Sequence, residues 1–117
     1  MSLYSDTVTR LRPAEHTTRG GDTVPDWTAA PDRLDIGGVN VQPSPPPTEQ
    51  AGADRDLTVR RLRVLTDRGV DVDVQATDRI EYRGDLFAVD GDVDRWRDSS
   101  SPGAVHHVEF TIVRAEG

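Results

Sequence analysis

Few residues of this sequence have the type and spacing for chemistry. Two histidines are adjacent, His106-His107, and a third, His16, stands in a polar stretch. Asp90-Gly-Asp-Val-Asp94 carries the first three acidic spacings of an EF-hand loop. Arg95 and Ser101 then stand where the turn glycine and the bidentate glutamate belong, so the run reads as an aspartate-rich turn. Neighbouring residues of a strand point to opposite faces, so the histidine pair is not expected to chelate one metal. One of the two is placed at the core edge beside Val108. Asp71 and Asp73 share a strand face, but carboxylates do acid–base work only in a cleft. Arg83-Gly-Asp85 is explained as a hairpin tip. With no cysteine, no lysine and no glycine-rich loop opening a helix, the expectation is no catalysis, no cofactor and no metal.

Composition narrows the partners. The net charge is -7, with 21 acidic against 14 basic residues, which argues against affinity for phosphate backbones. Every basic side chain is arginine, suited to bidentate pairing with carboxylates. A GC-rich genome would produce the same bias. Apolar residues make up only 34% of the 117, yet they fall in short patterned runs, unlike those of a disordered chain. One domain over residues 1–117 is expected. The first residues show no charged segment followed by an apolar core, and no apolar run nears the roughly 20 residues of a membrane span. A soluble compartment is the expectation.

The elements that must position these groups are strands. Thr7–Arg12 is a first strand, ended by Pro13. Residues 13–35, broken by Gly20-Gly21, Pro25 and Pro31, are expected to form an extended loop pinned to the domain by Trp27. Val39–Gln42 alternates as a second strand. In Leu57–Thr66 the apolar pairs Leu57/Val59 and Leu62/Val64 have opposite parity, which predicts a β-bulge at Arg60-Arg61. Val70, Val72 and Val74 predict a half-exposed strand. Arg79–Arg83 and Leu86–Asp90 predict a hairpin around Gly84-Asp85, with Tyr82 opposite Phe87 and Ile80 opposite Val89. Residues 92–103 are polar except for Val93 and Trp96, with Ser99–Gly103 a plain loop. Ala104–Arg114 sets Val108, Phe110 and Ile112 on one face. No segment has a helical period, so the fold class is all-β: a small β-barrel with long loops and little or no helix.

Between the second and third strands lies a proline-rich loop, residues 43–56: Pro43, Ser44, Pro45, Pro46, Pro47, Thr48, Glu49, Gln50, then small residues through Asp54. Prolines 45 to 47 favour polyproline geometry and lack amide donors, so this piece is not expected inside a sheet.

Four motifs occur in a telling order: Gly38-Val-Asn-Val-Gln-Pro43, Ala76-Thr-Asp-Arg-Ile80, Val89-Asp-Gly-Asp92 leading to Arg95-Trp-Arg97, and Gly103-Ala-Val-His-His-Val-Glu109. Across essentially the whole chain this resembles the head-to-tail stopper (head-closure or head-completion) proteins of long-tailed bacteriophages. The resemblance implies a non-enzymatic virion protein: a β-barrel subunit of a dodecameric ring in the phage neck, assembled in the host cytoplasm. The ring would lie between the portal–adaptor complex and the tail terminator or tail tube. Genomic DNA would pass through its lumen unbound, and the 43–56 loop would reach into that channel and help retain it. A hairpin of about seven residues each way reaches about 23 Å at about 3.3 Å per residue. Arg60, Arg61, Arg95, Arg97 and Trp27 are the expected contacts between subunits. The alternatives are another neck part, a tail terminator or adaptor, and a free-standing β module that reads carbohydrate or peptide through Trp27 and Trp96.

Overall fold

The computed structural model describes residues 3–44, 58–97 and 104–116. Among these it is all-β, with no helix. The eight strands are β1 (Asp6–Arg12), β2 (Ala14–Thr17), β3 (Thr23–Asp26), β4 (Asp32–Pro43), β5 (Thr58–Thr66), β6 (Arg79–Tyr82), β7 (Asp85–Arg97) and β8 (Val105–Glu116). Six of them close an antiparallel barrel in the order β1-β4-β5-β8-β7-β6, while β2 and β3 form a separate two-stranded sheet. Closure matters because it removes the unpaired edges on which open sheets aggregate.

The core is the inward face of every barrel strand. Val8, Ile36, Val39, Leu62, Val64, Ile80, Tyr82, Phe87, Val108, Phe110 and Ile112 form one buried cluster. The alternation of β8 was legible: Val108, Phe110 and Ile112 are all buried. Burial of each such side chain contributes about 1.5–3 kcal/mol.

Four expectations are corrected. Residues 13–35 are not one extended loop: β2 and β3 pair there as a hairpin, with Glu15 opposite Pro25 and His16 opposite Val24, and β4 has already begun at Asp32. The bulge at Arg60-Arg61 is absent, since β5 runs in unbroken register with β8 from Thr58 to Leu65. No correction of parity is needed because Arg60, on the same parity as Leu62 and Val64, sits at the barrel mouth with its guanidinium 5.6 Å from the Phe87 ring centre. A bulge occurs instead on β7. Asp90 faces Thr111 and Asp94 faces Glu109, leaving two surplus residues on β7, and Gly91 adopts φ 79 there. Residues 92–97, polar except for Val93 and Trp96, therefore belong to a strand.

The β6–β7 hairpin turns one residue early. Arg83 and Gly84, at φ 51 and 82, are the two central residues of a tight turn whose positive φ values mark type I′. Ile80 consequently faces Phe87, and Tyr82 faces Asp85. The inward face was assigned correctly; the register was not. Lastly, Val70–Val74 is no strand, as the next section explains.

Candidate functional site at the barrel ends

Antiparallel order sorts every connection to one end of the barrel or the other. The ends of β1, β5 and β7 and the starts of β4, β6 and β8 make one end. There the β2–β3 hairpin and residues 67–78 connect strands. The opposite end collects the starts of β1, β5 and β7, the tight turn Arg83-Gly84, and the connection from β4 to β5.

Residues 67–78 form a cover over the first end. Its valines alternate because alternate side chains point into the barrel: Val74 is buried in the core cluster, and Val72 packs against it. With no neighbouring strand, its backbone carbonyls take arginine side chains instead. Arg95 Nη2 donates to Val72 O at 2.9 Å and Val74 O at 3.2 Å, while Arg95 Nε reaches Asp71 Oδ1 at 3.3 Å. Arg10 Nη1 donates to Asp73 O at 3.1 Å, and its Nη2 to Asp32 Oδ2 at 2.6 Å. Arg12 holds two carboxylates at once. Its Nε and Nη2 donate to Asp78 at 3.0 and 2.9 Å, and its Nη1 and Nη2 to Asp73 at 2.9 and 3.1 Å. Asp78 is fully buried on its side chain and also accepts from Gln75 N at 2.8 Å. Hydrogen bonds to Asp78 and then Asp73 hold the Arg12 guanidinium above its ordinary pKa. The hydrogen bond from Arg12 holds the Asp73 carboxyl below its own. Backbone groups left unpaired under a cover would cost about 1–3 kcal/mol each, so these arginines replace a ladder.

The cover is also tied to the barrel wall. Thr66 Oγ1 donates to Val70 O at 2.7 Å and accepts from Val108 N at 2.8 Å; Gly69 N donates to His106 O at 2.7 Å. Between cover and hairpin lies a half-open groove of about 230 Å³ touching Arg12, Glu15, Val24 and Gln75. That is below the usual 300–1,000 Å³ of a small-molecule site.

The opposite end has no such cover among the described residues. Asp85 takes Arg60 Nη1 at 3.0 Å and Arg114 Nη1 at 2.8 Å. Arg83 lies over the Tyr82 ring at 5.2 Å and 3.8 Å from Asp6. Pro43 closes β4 opposite Leu62, and Ser44 N still donates to Arg61 O at 3.0 Å. The sheet thus takes in Pro43, the first residue of the expected loop. Pro45, Pro46, Pro47, Thr48, Glu49, Gln50 and Asp54 lie outside the described residues.

Of the expected subunit contacts, Arg60 and Arg95 pair within the chain as above, and Arg61 pairs with Asp90. Arg97 ends β7. Trp27 is half-buried with the Arg79 guanidinium 4.0 Å from its ring centre, and so does pin its segment to β6. Trp96 is 53% exposed. The aspartate-rich run forms the β7 bulge, with Asp94 3.8 Å from Arg63. His106 and His107 do not point to opposite faces: their Nδ1 atoms are 2.8 Å apart. The signal missed in the sequence was arginine facing a strandless stretch of backbone carbonyls, which no periodicity reveals.

No family model and no curated protein matches the chain.

Proposed function

We propose that this chain is a stopper subunit of a phage neck, a non-enzymatic ring component that helps retain packaged DNA. One observation carries the reading. The connection from β4 to β5, which contains the proline-rich segment, leaves a closed six-stranded barrel at the end opposite the covered one. A rigid barrel with one end sealed by its own chain can present a long segment from the other without losing its core. The net charge of -7 supports a wall that repels phosphate, so that DNA slides and retention is steric.

The rival readings fare less well. A carbohydrate reader needs an exposed aromatic platform, but the Trp27 ring is occupied by Arg79, leaving Trp96 alone. A terminator or adaptor with helices finds no helix among the described residues.

Deleting residues 45–56 tests the proposal. The shortened chain should keep its fold and assemble into rings, measured by native mass spectrometry and electron microscopy, while filled heads carrying it lose DNA. Heads that stay filled would remove the gating role, and a wild-type protein that remains monomeric in assembled particles would remove the ring.

A further inference from the structure

The β2–β3 hairpin takes no part in the barrel, and the barrel core does not account for it. It is a sheet of two strands only, exposed along almost its whole length. A two-stranded hairpin alone in water is marginally stable at best. Yet this one is built to keep its shape. Thr18 N donates to Asp22 O at 2.8 Å, Gly21 N to Thr18 O at 3.0 Å, and Asp22 N to Thr18 Oγ1 at 3.3 Å. Gly21 takes the positive φ of 87 that the turn requires. Beyond β3, Trp27 is held against Arg79 of β6. The hairpin is thus fixed at its base and at its tip.

The tip carries Arg19, which is exposed and has no carboxylate partner among the described residues. That sets it apart from Arg60, Arg61 and Arg95, whose charges are matched within the chain. The groove at the base of the hairpin offers the opposite charge. Its walls include Arg12, Pro13, Glu15, Val24, Pro25 and Gln75. Arg12 is already neutralised by Asp73 and Asp78, whereas Glu15 is exposed and unpaired among the described residues. Pro13, Val24 and Pro25 give an apolar surface of the kind that the methylene stem of an arginine covers. At about 230 Å³ the groove admits one long side chain rather than a free ligand.

We propose that this hairpin is the arm that joins copies of the chain: Arg19 at the tip of one copy enters the groove of the next and pairs with its Glu15. The proposal rests on the ring of the stopper reading and names the contact that builds it. Tip and groove are different surfaces, so the contact is head-to-tail and passes from copy to copy until it closes. It also gives the hairpin the packing that it lacks within its own chain.

Charge exchange in the full chain tests this contact. Arg19→Glu and Glu15→Arg should each weaken self-association at least about tenfold, since like charges then meet. Mixing the two variants should restore assembly, because each offers the complement of the other. Native mass spectrometry should find both variants in equal number in the mixed rings. Arg68 is also exposed, and Arg68→Glu changes the net charge as Arg19→Glu does, but it should leave assembly intact. Circular dichroism checks that each variant is folded. A cross-linker supplies a second measurement that leaves both charges in place. Gly20 has room for a side chain, with no atom nearer than 3.9 Å to an added Cβ. Benzophenone attached at Gly20→Cys, the single thiol of a chain without cysteine, should cross-link to residues 12–15, 23–25 or 75–77 of the next copy. Rings that persist in both single variants, a mixture that stays dissociated, equal loss in Arg68→Glu, or cross-links elsewhere would overturn the contact and leave the stopper reading standing. A mixture that stops at two copies would overturn the head-to-tail arrangement. A wild-type chain that forms no ring even on filled heads would remove the contact and the stopper reading together.

Discussion

The two ends of the barrel solve the same problem in opposite ways. A barrel this small must keep water out of its core at both mouths. At one mouth the chain lays its own backbone across the opening, drops Val74 inside, and satisfies the cover's carbonyls with Arg10, Arg12 and Arg95. At the other mouth side chains do the work: Arg60 lies over Phe87, Arg83 over Tyr82, and Asp85 holds Arg60 and Arg114. The first closure is built around Arg12, which holds the buried carboxylate of Asp78 and the exposed one of Asp73. The second is made of half-exposed pairs and gives off the β4–β5 connection. The comparison teaches that arginine has two uses here, as a substitute strand at one end and as a screen over aromatic rings at the other.

If this contrast is right, substitutions at the covered end should cost far more. Asp78→Ala should cost the most, about 3 kcal/mol. That is the low end for breaking a buried pair, because Arg12 keeps some access to water. Urea denaturation measures it, and a loss below about 1 kcal/mol would mean the cover is not built on Asp78. Val74→Ala should follow at about 2 kcal/mol, the lower part of the range for shortening a core side chain. Amide exchange should then speed up in residues 67–78 before it does in β8. Arg60→Ala, at the open mouth, should cost less than about 1 kcal/mol, and salt should shrink that loss. A cost equal to that of Asp78→Ala would erase the difference between the ends.

Much of the barrel was legible in the sequence, and the reasons for the rest are physical. β8 shows apolar alternation and β1 is ended by Pro13, and both run close to where they were expected. The valines at 70, 72 and 74 alternate just as clearly, yet form no strand. Alternation records which side chains are buried and is silent on whether the backbone has a neighbour. The same limit explains the misplaced bulge. Parity in β5 is upset by Arg60, a charged residue whose stem and guanidinium can cover an aromatic ring, whereas Gly91 hides the true bulge within a polar run. The hairpin register slipped because Arg83 accepts a positive φ that the sequence rule reserves for glycine or asparagine. At the covered end, Arg10, Arg12, Asp73 and Asp78 lie up to 68 positions apart in sequence, and only topology brings them together. The loop expected to begin at Pro43 starts later, because Pro43 still stands opposite Leu62 at the end of β4, and residues 45–57 lie outside the described residues.

Acid should sharpen the comparison with the smallest perturbation, since it alters charge without changing any residue. Asp73 has its carboxyl held below the usual 3.8 by the hydrogen bond from Arg12, which outweighs desolvation and is helped by the nearby charges of Arg12, Arg10 and Arg95. A carboxyl whose folded-state pKa lies below its unfolded value contributes stability that is complete above about pH 4 and is lost as pH falls through the folded value. The stabilising contribution of Asp73 should therefore be fully present at pH 6 and should fall progressively as pH drops below 3.8. Asp73→Asn should be less stable than wild type at pH 6, and the two should converge as acid protonates the native aspartate. Denaturant melts of both proteins across that range provide the measurement. Asn keeps the size of Asp and can still accept one hydrogen bond from Arg12, so any gap that closes with acid belongs to the charge. A gap that stayed constant from pH 6 to pH 3 would assign the role of Asp73 to shape, and the cover would then rest on Asp78 and the backbone carbonyls alone.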